Sequence, residues 1–327
     1  MPLTADDWPI AAAMLPFRAA PPDARHADEE TVGRWLEDLL EVADLGFDAV
    51  DLTDTWLAYG DLAPSHVAAL RTALAETALA PLSMSVIRRS VIDEQVGAEN
   101  LAYSHRCIDV AAELGSGVVS VGLHRPLTPE QQRQLWFWTV PGHRDRMGDA
   151  EAWALAVARF QELGRHAEEL GILLSLELYE HTFLGSAESA VRLVEDIGSP
   201  SVGLNPDIGN LVRLHGPIES WREVAEATMP YANFWHVKNY HRDEEPGGAR
   251  VTTTPSYLED GVIDYRSALR IALDAGFQGV ICTEHYGGDG LSVSAANRDY
   301  LRTRVLPRRP RLLGTSRVTQ QYGGGVG

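Results

Sequence analysis

The feature that most constrains this chain is an alternation. Short apolar runs and segments of helical periodicity follow one another eight times. The runs at 10–15, 48–53, 81–87, 117–123, 172–178, 201–206, 232–237 and 279–283 read as buried strands. Between and after them, helices are expected over 30–46, 65–78, 97–114, 149–170, 186–197, 217–228, from Asp264 to Gly276, and over 293–304. Gly46, Gly115, Gly171 and Gly276 serve as stops and Asp264 as a cap. Eight strands alternating with eight helices predict a (β/α)8 barrel over residues 1–304 rather than an open doubly wound sheet. No GxGxxG follows the first strand, and GxxxxGK[ST] is absent, so the usual dinucleotide and P-loop signatures are missing.

Two connections break the rhythm, 124–149 after the fourth strand and 239–263 after the seventh. Long βα loops in a compact fold are usually functional, and in a barrel they rise above the C-terminal face. The stretch 305–327 is rich in Arg, Pro and Gly and reads as a mobile or interface arm. A net charge of −18 and a pI near 5.0 disfavour a nucleic acid or an anionic membrane as partner. Cys107 and Cys282 form no CxxC, and no signal peptide or transmembrane run is apparent, so a reducing cytoplasm is expected.

Four acceptor residues close the last four strands: Glu177 in "SLELYEH", Asp207 in "GLNPDIGN", His236 in "FWHVKN" and Glu284 in "CTEHYGG". Consecutive strand ends of a barrel converge on one rim. Three carboxylates there would repel unless a cation sat among them. An oxygen-rich set with one imidazole suits Mn²⁺, with Mg²⁺, Co²⁺ or Fe²⁺ as alternatives, better than Zn²⁺. Taken singly, each acid reads as a cap or a solvated charge; the coincidence on four strands is what argues for a metal. Lys238 is the only lysine of the chain. It follows His236 by two positions, on the same side of a continuing strand, where it would either donate to a substrate oxygen or pair with a neighbouring acid.

The segments "LLSLELYEH", "VGLNPDIGN", "FWHVKN" and "DGVIDYRSALRIALDAGFQGVICTEHY" resemble the xylose-isomerase-like TIM barrels of the sugar phosphate isomerase/epimerase family, ketose 3-epimerases among them. The resemblance implies Glu177, Asp207, His236 and Glu284 as metal ligands, with the two glutamates also moving protons. Family members often carry His-x-Lys-Asp where this chain has "HVKN", so Asn239 replaces an acid.

The insert "LWFWTVPGHRDRMGD" departs from a plain epimerase. Trp136, Phe137 and Trp138 would form a wall over a substrate, cover a partner, or fold onto their own barrel. Pro141 and Gly142 would present His143 at a turn as a general base, with His124 competing for that role or binding substrate. Arg144 and Arg146 are candidates for gripping substrate oxygens. With "WPIAAAML" and "VPGHRDR", the chain looks like the large subunit of bacterial C-glycoside deglycosidases. That resemblance implies a metal-dependent lyase acting on 3-oxo-C-glucosides, with a small β-rich partner subunit in a higher oligomer. The alternative is a metal-dependent keto-sugar isomerase or epimerase. A phosphodiesterase on the same barrel and a non-catalytic scaffold are the remaining readings, disfavoured by the acidic charge and by the complete ligand set respectively.

Overall fold

The computed structural model describes residues 1–17, 29–248, 250–311 and 313–322. Eight parallel strands form one sheet: β1 (Ile10–Ala13), β2 (Ala49–Thr53), β3 (Ala80–Ser85), β4 (Val118–Val121), β5 (Leu173–Glu177), β6 (Val202–Asn205), β7 (Trp235–Val237) and, beyond a hairpin, β10 (Ile281–Thr283). β1 pairs with β10, which pairs with β7, and a single bridge from Leu204 to Ala232 joins the remaining edges into a nearly closed barrel. These strands are largely apolar because one face fills the barrel and the other meets helices.

The helical layer comprises α1 (Glu29–Asp44), α2 (Pro64–Glu76), α3 (Gly97–Leu114), a short α4 (Pro129–Gln132) and α5 (Ala150–Glu169). It continues with α6 (Ala187–Ile197), a short α7 (Gly209–Val212), α8 (Trp221–Thr228), α9 (Tyr265–Asp274) and α10 (Gly290–Tyr300). Local chemistry sets several ends. Asp264 accepts from the amides of Arg266 and Ser267 at the start of α9, and Gly115 ends α3 with φ +85°, a conformation that costs glycine little.

Two stretches carry more structure than the sequence indicates. The stretch 239–263 is not simply a loop: β8 (Asn239–Glu244) and β9 (Val251–Ser256) pair antiparallel, turning through Gly247 and Gly248 at positive φ. The stretch expected as a mobile or interface arm is bonded to the barrel over residues 313–322. Arg317, Thr319 and Tyr322 donate backbone hydrogen bonds to Pro230, Pro200 and Gln278, and the side chains of Gln320 and Gln321 accept from the amides of Gln278 and Val280. The tail therefore satisfies backbone groups at the N-terminal end of the barrel, opposite the rim where β5, β6, β7 and β10 end. Gly276 has φ +83°, and a Cβ there would stand 2.6 Å from the amide nitrogen of Ser316.

Candidate metal centre

The register brings the four acceptors to one rim. Glu177 ends β5, opposite Asn205 of β6, and Asp207 lies two residues beyond. His236 pairs with Cys282 across β7 and β10, and Glu284 extends that ladder by donating its amide to Val237. All four are buried. Glu177, Asp207 and His236 offer ligand atoms within 4.8 Å of one another, and a Glu284 carboxylate oxygen lies 3.4 Å from Nδ1 of His236.

The tautomer of His236 follows from the residues behind it. Asp51, fully buried in β2, accepts from the hydroxyls of Ser83 at 2.6 Å and Ser85 at 3.0 Å. The proton of Ser85 is thus directed at Asp51, and the Ser85 oxygen presents a lone pair to Nε2 of His236, 3.3 Å away. Nε2 then carries the hydrogen, and the Nδ1 lone pair faces Asp207 and Glu284. Nδ1 of His236 and Oδ1 of Asp207 are buried without a hydrogen-bond partner. Such orphans call for an explanation, and a cation shared between them is a fitting one. The donor set, carboxylate oxygens plus one imidazole, fits a hard or borderline divalent ion. A second cluster, Asp51, His236 and Cys282, is less apt: Asp51 is saturated by hydroxyl donors, and burial holds the Cys282 thiol protonated.

The electrostatics are those of crowded acids. Burial pushes Glu177 up to about 7 and raises Asp207, with the neighbouring acids adding to both against Lys238 and His236. Burial also acts on Glu284, but Lys238 and His236 outweigh it and lower its pKa. Burial likewise opposes a charged His236, and the surrounding carboxylates overcome this and raise it.

Lys238 is placed between the acids. Its Nζ is 2.5 Å from Asp207 Oδ2 and 3.0 Å from Glu284 Oε2, and it lies over the Tyr286 ring. Gly209 makes room: a Cβ there would stand 2.5 Å from Cγ of Lys238. Asn210 ties Glu177 to Asp207 with one amide group, at 2.9 and 3.0 Å. Asn239 has a structural task that a carboxylate could not perform, donating to the carbonyls of Leu258 and Ile263 and accepting from the amide of Ile263.

Of the insert residues, Phe137 and Trp138 fold onto their own barrel. Trp138 packs edge-on against Tyr240 and Tyr286 and donates Nε1 to Thr253 at 2.9 Å, while Trp136 stacks on it, half-buried. His124 is the buried imidazole of this region, stacked 4.5 Å from Tyr179. Both of its nitrogens lack partners, and burial, then the surrounding cations, push its pKa well down. His143 is exposed and, with His124, lines a cavity beside the insert. Arg146 is exposed and paired with Glu94 and Asp149. Arg144 is exposed as well.

The sequence reading missed Arg213 and Glu180. The Arg213 guanidinium is fully buried, bonds both Glu180 oxygens at 2.8–2.9 Å, and lies among the rings of Phe137, Trp138, Tyr179 and Tyr286. This cation clamps the insert to the rim. It also missed Asp51, hidden in an apolar run, and Arg88, three residues beyond β3.

The barrel thus carries three carboxylates and one imidazole at or just beyond the ends of the last four strands of its sheet. The family model for the xylose isomerase-like TIM barrel matches residues 39–304, and the chain belongs to that family. A xylose isomerase-like TIM barrel protein from Mycobacterium smegmatis, solved in complex with magnesium, is 44% identical over 92% of this chain and 97% of that one, with a TM-score of 0.85. The 3-keto-D-glucoside 4-epimerase of E. coli (15% identity, 91% of this chain and 100% of that one, TM-score 0.61) shares the fold. So does a D-psicose 3-epimerase solved with D-fructose (16%, 88% and 89%, TM-score 0.58). No curated protein gives a significant sequence match.

Proposed function

We propose that this protein is a divalent-metal-dependent isomerase or epimerase acting on a keto-sugar. One observation carries the reading: four acceptors from four strand ends converge, and two of their buried atoms, Asp207 Oδ1 and His236 Nδ1, have no hydrogen-bond partner among the described residues. The magnesium bound by the Mycobacterium smegmatis relative supports it, with Mg²⁺ or Mn²⁺ as the expected ion. Such an ion supplies Lewis acidity to a substrate carbonyl and lowers the pKa of the adjacent C–H. Glu177 and Glu284 come from β5 and from the end of β10, three strands apart round the barrel, and serve as the two proton-transfer groups. Asn210 holds Glu177 in place, and Lys238 donates to the oxygen on which negative charge builds. The Phe137–Trp138 roof excludes water.

The test is solvent deuterium exchange into ketoses by the Mg²⁺-loaded protein, followed by NMR. Exchange next to the carbonyl, lost in Glu177→Gln and Glu284→Gln, is expected; absence of exchange from every ketose and keto-glucoside tried overturns the reading. The aromatic roof favours a second reading, a lyase on 3-oxo-C-glucosides with a small β-rich partner subunit and His143 as base. Release of free aglycone in a parallel incubation would select it.

A further inference from the structure

Beside the candidate centre lies a narrow cavity of about 20 Å³ between the insert and the β5–α6 connection. His124 and Tyr179 form its inner wall. They adjoin Glu177: a Cβ on Gly122 would stand 2.5 Å from Nδ1 of His124 and 3.8 Å from Cβ of Glu177. A molecule held at the rim would therefore extend into this space.

The cavity has two unusual features. Among the described residues only three non-glycines have left-handed backbones, and two of them, Arg88 at φ +58° and His181 at φ +63°, line it. Strained backbone of this kind persists where a side chain must be aimed. The charges are also uneven. Glu180 is taken up by Arg213, and Asp145 by Arg125 and the amide of Phe183. Arg88 has no carboxylate within 4 Å among the described residues; its guanidinium stacks on Phe137 and reaches only the carbonyl of Arg125, at 3.4 Å. It is half-buried beside two acids that are already paired, in a chain with a net charge of −18.

We propose that Arg88 and His124 form a carboxylate subsite, so that the substrate is a keto-sugar acid. The inference rests on the proton-transfer reading of the adjacent centre. One unpaired guanidinium matches one carboxylate in charge and in planar, two-pronged geometry. A phosphate dianion would bring a second charge into a cavity already holding Asp145 and Glu180. His124, neutral and with both nitrogens free, donates to a substrate oxygen between the carboxylate and the carbonyl.

Three ketohexoses differing only at the terminal carbon provide the test: D-fructose, D-fructuronate and D-fructose 6-phosphate. Calorimetry on Mg²⁺-loaded protein is expected to show fructuronate binding about 10–100-fold more tightly than fructose, the worth of one charge-assisted pair. Arg88→Gln should erase that preference with fructose and Mg²⁺ affinities unchanged. Arg88→Lys, keeping the charge without the fork, should retain part of it and guards against a folding defect in the first variant. Equal affinity for fructose, a preference for the phosphate, or a preference that survives Arg88→Gln overturns the subsite. Deuterium exchange read on the same samples separates the two claims. Tight fructuronate binding without exchange refutes the proton-transfer reading alone, and exchange from neutral fructose without carboxylate preference refutes the subsite alone.

Discussion

Replacing Lys238 by Met tests whether this lysine and a metal ion serve the same carboxylates. The ammonium lies 2.5 Å from Asp207 and 3.0 Å from Glu284, with all three side chains at most 6% exposed. Methionine keeps most of the side-chain volume and removes the charge. Removing one partner of a buried ion pair costs about 3–5 kcal/mol, because the other charge is left uncompensated. At the lower end of the usual conversion for a long chain, that is a fall of about 6–10 °C in unfolding midpoint. The loss should appear in full only in chelator. With saturating Mg²⁺ a cation again faces Asp207 and Glu284, and in the variant it no longer enters against the lysine's charge. Mg²⁺ should therefore stabilise Lys238→Met by about 3–5 kcal/mol more than it stabilises the parent. Denaturant titrations of both proteins, in EDTA and in Mg²⁺, give the four midpoints. An equal loss in both media, or none in chelator, would refute the shared-carboxylate argument.

Ser85→Ala should weaken Mg²⁺ binding by about 10–100-fold in calorimetry, since Nε2 of His236 loses the acceptor that fixes its tautomer; unchanged affinity would remove the Asp51–Ser85 pair from the site. Burial pushes Asp54 up to about 7, so its neutral form is favoured by folding. Stability from this group is full below its unfolded pKa near 3.8 and falls as pH rises towards 7, and Asp54→Asn should gain on the parent across that window by at most about 4 kcal/mol, levelling off above it; parallel stability–pH curves would contradict this. Trp138→Ala should cost about 3–5 kcal/mol and speed proteolysis within 124–149, because it removes the ring that packs on Tyr240 and Tyr286; an insert equally resistant to protease would show that other contacts hold it.

The barrel was legible because its strands are buried, largely apolar runs and its helices carry their own caps and stops. Asp264 and Gly115 act locally, so a local reading suffices for them. The hairpin was not legible, since β8 reads "NYHRDE", a polar strand that gains its partner only through the turn at Gly247 and Gly248. Its signal lay in that glycine pair and in the β-branched run Val251–Thr254 beyond it. The tail's docking was invisible for a different reason. Its bonds to Pro200, Pro230 and Gln278 join positions more than forty residues apart, and nothing in an Arg-, Pro- and Gly-rich composition marks them.

The rim was legible for the same reason as the barrel: an acid that closes an apolar strand has one direction to face. What stands behind and beside the rim was not. Asp51, Ser83 and Ser85 sit inside strands whose burial hides their role, and Arg88 and Arg213 read as surface cations in an arginine-rich chain. Lys238 was visible as an oddity, and the structure supplies its physical reason. The cation here must pass under Gly209, where not even a Cβ fits, and end between two carboxylates of different strands. A guanidinium is broader, and its rigid fork matches one carboxylate edge-on rather than two acids on either side. An ammonium is compact and donates in three directions, so a chain that elsewhere uses only arginine requires a lysine at this one position.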